Sequence, residues 1–289
     1  MSLVVGAHPQ NLSLSLLSRR LEKVDALRKA GLEFFTYEAG SQTIPLLKAG
    51  VLHLAGTGAT PPILAEAHGL PSAVFGVSGS RLENGGVLVH AGSNINSLAD
   101  LKGRGIGLMP ISWHTQFLAS ELDAAGISWS EVNAAEIIPA TARDAFVQGK
   151  LDAIVATDPL YSKIAAKVPV RVLVPVGGAF SNRSVYWARR ETLRDHPTAV
   201  RTLLEAIIES DRRTLENPQE AAALLDGLNG NSATEWLPAI TSRPWGVEAP
   251  DADFVAEQQA HADIFAKFGL IPKRIDATPT ATTLFLAAA

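Results

Sequence analysis

The chain has 289 residues, of which 47% are apolar and 19% charged, and its formal net charge is −4. This length allows one large domain or two of ordinary size, and the absence of a basic bias argues against a nucleic-acid partner. The chain has no cysteine, which excludes thiol nucleophiles, thiolate metal sites and disulfides. No apolar run approaches the ~20 residues that a membrane-spanning helix needs.

The first predicted element is a strand at residues 3–6, and no signal-peptide pattern precedes it. Two interpretations therefore stay open: a cytosolic protein, or an exported one whose leader has been removed. Further strands are predicted at residues 32–37, 51–54 and 73–77. Between them, apolar residues three and four apart predict helices, and Thr60-Pro61 suits the start of one. Strands separated by single helices imply right-handed crossovers and an open parallel sheet.

The same unit repeats in the middle of the chain. Strands are predicted at residues 86–89, 106–109, 136–138, 152–155 and 170–174, with helices at 115–125 and 143–148. After a strand at 184–188 nearly everything is helical, including a helix from about 251 to 268. Two α/β halves followed by a helical tail predict two lobes, with the tail packing on the first. The chain would cross between them near residues 81–86 and 182–186.

Ligands of open parallel sheets bind at the carboxyl ends of strands, where helix N-termini can hold anions. Gln10 and Asn11 lie in the first such turn and are equally suited to helix capping and to ligand contact. Thr57 and Gly58 lie in a turn whose two glycines allow the backbone to approach a ligand closely, although an ordinary tight turn has the same composition. This turn is not a P-loop, because no lysine follows at the required spacing.

Three further turns carry candidate residues. Ser112, Trp113 and His114 precede a helix and combine a hydroxyl, an indole and an imidazole, although Trp113 also suits a core and His114 a surface. Asp158 directly follows a strand, where simple N-capping is the alternative. Arg243 lies in a loop of the tail: it is either a solvated surface residue or, if it points into a cleft, the natural partner of a sulfonate or carboxylate.

Catalytic interpretations have less support in the sequence. The seven histidines show no metal-binding spacing, and there is no G-x-S-x-G elbow. The proximity of Ser112 and His114 favours local capping over a nucleophile pair.

The motifs taken together resemble the periplasmic substrate-binding proteins of ABC importers for aliphatic sulfonates and taurine, within the wider nitrate, sulfonate and thiamine-precursor group. The resemblance covers nearly the whole chain in the same order. The turn at 57–62 and the late Arg243-Pro244 are its more discriminating parts. The segments that carry it are residues 37–42, 57–62, 97–103, 140–146, 152–159, 243–244 and 269–273.

The resemblance implies an α/β, two-lobed periplasmic binding protein fold of type II, with two open, mostly parallel sheets joined by two hinge strands and the helical tail on lobe one. Lobe one would comprise residues 1–83 and 185–289, and lobe two residues 84–184. The expected function is capture of a small anionic organic ligand, a sulfonate, in the inter-lobe cleft by hinge closure. The protein would be a monomer without enzymatic activity, cofactor or metal, located in the periplasm or lipid-anchored outside the cytoplasmic membrane. Its partners would be the membrane subunits of the importer.

The resemblance also implicates a set of ligand-binding residues. Where members of the group have an aromatic residue before Asp-Pro, this chain has Thr157, and Pro110–His114 replaces the group's Lys-Gly-Ser-Ser-Ser-His. Trp113 is therefore the hypothetical substitute for the missing aromatic wall. The expected ligand-binding residues are Gln10, Asn11, Ser41, Gln42, Thr57, Gly58, Ser112, Trp113, His114, Asp158 and Arg243.

Two alternatives remain at this stage. One is an enzyme like the aryl-sulfinate desulfinase of the same fold, which the absence of cysteine disfavours because that enzyme needs a catalytic cysteine. The other is a cytosolic ligand-sensing domain.

Overall fold

The computed structural model describes residues 2–177 and 180–285, and within them the chain forms two five-stranded sheets covered by helices. The strands are β1 (Leu3–Ala7), β2 (Leu32–Thr36), β3 (Leu54–Gly58), β4 (Ser72–Val77), β5 (Gly85–His90), β6 (Gly105–Leu108), β7 (Asn133–Glu136), β8 (Ala153–Thr157), β9 (Val170–Pro175) and β10 (Ser184–Arg189).

Twelve α-helices are present in the described residues. They are α1 (Leu12–Leu17), α2 (Leu21–Lys29), α3 (Thr43–Lys48), α4 (Thr60–Ala67), α5 (Trp113–Ala124), α6 (Pro139–Val147), α7 (Leu160–Ala165), α8 (Arg190–Asp195), α9 (Pro197–Glu216), α10 (Pro218–Leu224), α11 (Ala233–Thr241) and α12 (Ala252–Lys267). No helix of this part of the chain has the length and apolar character needed to cross a bilayer.

The two sheets have the same strand arrangement. The first has the order β2-β1-β3-β10-β4 and the second the order β7-β6-β8-β5-β9. In each sheet the fourth strand, β10 or β5, is antiparallel to both neighbours, and it is the first strand after the chain crosses from the other sheet. The remaining pairs are parallel, so the prediction of two open, mostly parallel sheets is confirmed. We call the first sheet with its helices the first half, and the second sheet with its helices the second half.

Two predicted strands were misplaced. The strand predicted at 51–54 is wrong: the backbone N–H groups of Val51 and Leu52 donate to Leu46 O and close the end of α3, so that β3 begins only at Leu54. Likewise, β7 ends at Glu136 instead of continuing to residue 138, because Ile138 caps α6 and Pro139 begins it. In both places, residues that are apolar enough for a strand form the end or the start of a helix instead.

The helical tail packs on both halves. Helix α9 lies against α1 and α2 of the first half, where Val200, Leu203 and Leu204 join the core beneath the first sheet. Helix α12 contacts α5 of the second half, and its Phe265 packs in one apolar cluster with Ile63 of α4 and Ala119 of α5. The tail therefore packs on the first half, as predicted, and its last helix also bridges the two halves.

A buried polar chain runs through this bridge. Thr60 Oγ1 donates to Gln116 Oε1 over 2.7 Å, and Gln116 Nε2 lies 2.6 Å from His261 Nδ1. All three side chains are buried. We call this region the helical junction; its members are Thr60, Ile63, Gln116, Ala119, His261 and Phe265.

Candidate functional site

The chain crosses between the sheets in two segments that lie side by side. The first connects β4 to β5 and the second connects β9 to β10. Arg81 N donates to Asn182 O over 3.0 Å, and Ser78 N donates to Ser184 O over 2.8 Å, so the segments pair as a short antiparallel bridge. The crossings run from Val77 to Gly85 and from Pro175 to Ser184, at the two places that the sequence predicted.

A group of buried charges lies beside these crossings. Arg81 Nε donates to Glu83 Oε1 over 2.6 Å, and its Nη1 donates to Ser184 Oγ of the second crossing over 2.9 Å. Thr157, at the end of β8, donates to Glu83 Oε2 over 2.6 Å. Arg243 approaches the same carboxylate, with 3.7 Å between its Nη2 and Glu83 Oε1. Glu83 thus connects the hinge, the second half and the helical tail.

The electrostatics of Glu83 follow from these contacts. Burial opposes ionisation, but the positive charges of Arg81 and Arg243 outweigh it and lower the pKa of Glu83 to about 2. In the opposite direction, burial lowers the pKa of the Arg243 guanidinium to about 10. Both groups therefore stay charged at neutral pH.

Asp211 of α9 completes what we call the ionic cluster, which consists of Arg81, Glu83, Asp211 and Arg243. Its Oδ2 accepts hydrogen bonds from Ser13 Oγ (3.1 Å) and Gly246 N (3.2 Å), whereas its Oδ1 is buried and has no partner among the described residues. Burial raises the pKa of this carboxyl to about 7. The nearby Tyr186 Oη is likewise buried and without a partner in the described structure.

Arg243 is held in place with its donors unused. Its side chain is 16% exposed, and within residues 2–177 and 180–285 its guanidinium forms no hydrogen bond. The loop that carries it packs on the first crossing, since a Cβ added at Gly79 would lie 3.3 Å from Pro244 Cβ. The surface alternative for Arg243 is therefore wrong: this cation points into the structure beside the hinge.

The first predicted turn packs against β3, since a Cβ added at Gly56 would lie 2.6 Å from Asn11 Nδ2. Asn11 caps α1, with its Oδ1 accepting from Leu14 N over 3.0 Å, while its buried Nδ2 has no partner among the described residues. Gln10 is engaged locally, because its Oε1 accepts from Gly40 N and lies 2.6 Å from His8 Nδ1. Asn11 therefore caps α1, and its amide nitrogen remains available as a donor.

Thr57 and Gly58 are the last two residues of β3. Thr57 Oγ1 accepts from Trp187 Nε1 over 2.9 Å and donates to Gly58 O over 2.7 Å, which leaves this hydroxyl no proton for a ligand. A Cβ at Gly58 would lie 3.7 Å from Trp113 Cβ. The first-half turn therefore meets the start of α5 in the second half, at a distance that a small side chain at residue 58 would also tolerate.

Trp113 and His114 are both buried at the start of α5, with Ser112 as its N-cap. Trp113 stacks on Phe180, with ring centroids 5.9 Å apart, and belongs to the apolar core cluster of the second half, as its core alternative predicts. Ser112 Oγ accepts from His114 N, and Met109 N donates to His114 Nδ1 over 3.2 Å. Burial lowers the pKa of His114 to about 4, so this imidazole is neutral.

Ser41, Gln42 and Asp158 form no hydrogen bond or ion pair with Arg243 in the described structure. Ser41 and Gln42 lie in a turn over residues 40–42, where Gln42 Oε1 accepts from Ala39 N over 3.1 Å. Asp158 accepts from Asn84 Nδ2 (2.7 Å) and from Ser162 N (3.1 Å). Asp158 thus bonds the first turn of α7, but the N-cap of this helix is Pro159, so the alternative of N-capping by Asp158 is wrong.

The sequence did not single out Arg81, Glu83, Tyr186 or Asp211 as site residues. A signal existed for the first two, because two opposite charges stand two residues apart inside a predicted crossing between lobes. Nothing comparable marks Asp211, which lies in a long amphipathic helix among exposed charges. Among the described residues, no three His, Asp or Glu side chains are grouped so as to hold a metal ion.

Comparisons of the sequence with known proteins identify a family and a relative that agree with each other. Residues 27–221 match the family described as NMT1/THI5 like. A protein of Escherichia coli (strain K12) named as an aliphatic sulfonates-binding protein is 31% identical over 241 residues, which are 83% of this chain and 76% of the relative.

Solved structures extend the similarity to nearly the whole chain. The periplasmic aliphatic sulphonate binding protein SsuA from Escherichia coli has a TM-score of 0.87 and 27% identity, over 97% of this chain and 92% of that chain. The alkanesulfonate-binding protein SsuA from Xanthomonas axonopodis pv. citri, bound to MOPS, has a TM-score of 0.85 and 25% identity, over 96% and 97%. The desulfurization enzyme DszB, at 17% identity and a TM-score of 0.66, shares the fold alone.

The relatives with appreciable identity are binding proteins, and the strand order, the paired crossings and the family match agree with them. The chain therefore belongs to the NMT1/THI5-like family and has the periplasmic binding protein fold of the sulfonate-binding proteins in it.

Proposed function

We propose that this protein is the substrate-binding component of an ABC importer and that it captures a small organic sulfonate in the cleft between its two halves. The proposal rests on the family and on one observation. Arg243 is a largely buried cation at the point where both halves meet, and its guanidinium donors are unused within the part of the chain that the structure describes. A guanidinium offers five N–H donors in a planar fork, and the oxygens of a sulfonate are acceptors that suit it.

Other groups around Arg243 complete the proposed site. Asn11 Nδ2 and Tyr186 Oη, which have no partner among residues 2–177 and 180–285, provide further donors for the anionic head. Trp113 provides an apolar surface for the organic part of the ligand, as hypothesised from the sequence. Thr57, Gly58, Ser112 and His114 shape the walls through their backbones. The proposal gives no direct role to Gln10, Ser41, Gln42 or Asp158, whose contact with a ligand stays a prediction.

Capture is proposed to occur by hinge closure. The lobes would be residues 1–83 with 185–289, and residues 84–184, and the paired crossings at Arg81 and Asn182 would be the hinge. Contacts that a ligand makes only when both lobes surround it would shift the population toward the closed form. The membrane subunits of the importer would then bind that form. We propose that the protein acts outside the cytoplasmic membrane, in the periplasm as the SsuA relative from Escherichia coli does, or held there by a lipid anchor, and that it acts as a monomer.

We also propose that the protein performs no chemistry on its ligand. The chain has no cysteine to serve as a nucleophile, and the buried His114 is engaged by Met109 N. The desulfinase alternative therefore has only the shared fold in its favour. No observation supports a cytosolic sensor.

The test is thermal unfolding of the purified protein with a panel of taurine, alkanesulfonates, arylsulfonates, nitrate, carboxylates and thiamine precursors. A ligand at ~100 times its Kd should stabilise the protein by about 2.7 kcal/mol. Arg243→Ala should weaken binding of the active sulfonate by about thirtyfold or more, because about 2 kcal/mol or more is lost when a buried charge partner is removed.

The matched control is Arg190→Ala, since Arg190 is also a partly buried arginine with a carboxylate partner, Glu66, but lies away from the hinge. It should leave sulfonate binding unchanged. Stabilisation by a carboxylate or a pyrimidine but by no sulfonate would overturn the ligand assignment.

A further inference from the structure

Glu83 is an unexpected group in a site for anions. Its carboxylate is 12% exposed and lies 3.7 Å from the one guanidinium that the proposed function assigns to the ligand. It is fixed there from two other directions, by Arg81 Nε at 2.6 Å and by Thr157 Oγ1 at 2.6 Å. A carboxylate held this firmly beside the ligand's partner must influence which anions the site accepts.

The charges around the site can be counted from these contacts. The two guanidiniums of Arg81 and Arg243 face a single ionised carboxylate, that of Glu83, because Asp211 keeps its proton in mildly acidic solution, where its pKa of about 7 lies above the pH. His114, which faces Glu83 from α5, is neutral under the same conditions. The cluster therefore carries one net positive charge.

One net positive charge matches one kind of ligand. A sulfonate carries one negative charge and would neutralise the cluster completely. Sulfate has the same tetrahedral head but carries two charges, and the second would be buried beside the Glu83 carboxylate without a partner. An uncompensated buried charge is strongly unfavourable.

We propose that Glu83 restricts the site to singly charged anions, so that the protein accepts sulfonates and rejects sulfate and other dianions. This inference rests on the proposed function, since it requires that Arg243 binds the ligand. Glu83 acts through charge, by compensating Arg81 and partly offsetting Arg243, and needs no direct contact with the ligand.

The experiment compares methanesulfonate with sulfate, which have the same number of heavy atoms and differ by a methyl group in place of a charged oxygen. Their Kd values are measured by calorimetry, or by competition against the sulfonate that binds best, at a mildly acidic pH. The wild type should prefer methanesulfonate. Glu83→Gln should lower this preference at least about tenfold, because it removes the nearest negative charge from a poorly solvated site.

Glu257→Gln is the matched control. Glu257 is also a largely buried glutamate with an arginine partner near the crossings, Arg183 at 3.2 Å, but it does not contact Arg243. This variant should keep the preference of the wild type. Glu83→Asp, which retains the charge, should also keep it.

A second variant covers the case in which Glu83→Gln does not fold because Arg81 is left without a counter-ion. Arg81→Gln with Glu83→Gln removes the pair as a unit, which costs less than breaking it, and leaves the net charge unchanged. Its preference should equal that of the wild type, and a tenfold change would overturn the proposal. The proposal would also be overturned if the Glu83→Gln protein folds, still binds sulfonates and prefers methanesulfonate over sulfate as strongly as the wild type does. A wild type that binds no sulfonate would instead overturn the proposed function, and this inference with it.

Discussion

The two halves are joined at two places, and these differ in chemistry. At the helical junction, both ends of the Gln116 amide have partners and apolar side chains surround them. In the ionic cluster, Asp211 Oδ1 has no partner in the described structure and the Arg243 donors are unused. Buried polar groups that have partners, such as those of Thr60 and Gln116, contribute to stability, whereas buried groups without partners have been retained at a cost. We therefore infer that the helical junction holds the halves together and that the ionic cluster responds to the ligand.

The largest expected effect is the loss of stability in Phe265→Ala. Phe265 is 1% exposed in the cluster that joins α4, α5 and α12. Removing its ring should lower the free energy of unfolding by about 3–5 kcal/mol, as large-to-small changes of buried phenylalanine do. Urea unfolding measures this loss.

The matched control is Phe268→Ala, since Phe268 is a half-buried phenylalanine one turn further along the chain. Phe268→Ala should lower the free energy of unfolding clearly less than Phe265→Ala does. The folded Phe265→Ala protein should bind its sulfonate with the affinity of the wild type. Equal costs for the two variants, or a loss of affinity, would contradict the division between the two regions.

In the ionic cluster, Asp211→Asn should change how stability depends on pH. The pKa of Asp211 is about 7 in the folded protein against an ordinary value of 3.8, so between these values the folded state binds one proton more than the unfolded state. The free energy of unfolding should therefore decrease as pH rises through this window, by about 1.4 kcal/mol per pH unit from this group alone. Asparagine does not titrate, so the variant should lack this decrease.

Urea unfolding at several pH values between these limits measures the slopes of both proteins. The stability of Asp211→Asn relative to the wild type should increase with pH. Parallel curves would show that Asp211 is ionised in the folded protein, and they would overturn the count of charges around Arg243.

At the helical junction, the expected pH response has the opposite sign. Burial lowers the pKa of His261 to about 4 from an ordinary 6.5, so the unfolded state binds the additional proton. Gln116 Oε1 accepts from Thr60, so the amide nitrogen Nε2 faces His261 Nδ1 and donates to it. If the imidazole were protonated, Nδ1 would carry a proton, and two hydrogen-bond donors would face each other. Stability should therefore fall as pH falls from 6.5 to about 4, by about 1.4 kcal/mol per pH unit.

His261→Gln retains a polar side chain that does not titrate. Its unfolding free energy, measured over the same pH series, should fall less steeply in acid than that of the wild type. The sharpest comparison uses both variants together, because removing His261 and removing Asp211 should change the pH slope in opposite directions. Changes of the same sign would refute the assignment of one buried acid and one buried base to the two regions.

The sequence predicted the fold in detail because the information is local. Apolar spacing, prolines at helix starts and glycines at helix ends recur every few residues, and they located most strands, both crossings and the helical tail. The strand predicted at residues 51–54 failed at a helix end, where Leu52 is buried under Gly6 and so has the same apolar character as a strand residue.

The candidate site was predictable only in part, because its contacts are not local. Turns such as the one at Thr57 follow from the rule that ligands bind at the carboxyl ends of strands. The ionic cluster joins residues 81, 83, 211 and 243, and no spacing in the sequence relates Asp211 to the other three. The hydrogen bond between Thr57 and Trp187, which are 130 positions apart, could not be predicted from the sequence either. It occupies the Thr57 hydroxyl, which the sequence had suggested as a ligand contact.

The smallest effect concerns the hydrogen bond that crosses between the halves from Thr60 Oγ1 to Gln116 Oε1. A double-mutant cycle with Thr60→Val and Gln116→Leu should give a coupling energy of about 1 kcal/mol, the usual net value of such a bond. If the helical junction is the fixed connection around which the hinge moves, this coupling must be present without ligand and unchanged at saturation with it. A coupling that appears only with ligand would mean that α4 and α5 separate when the cleft opens, and the division between a fixed and a responsive region would fail.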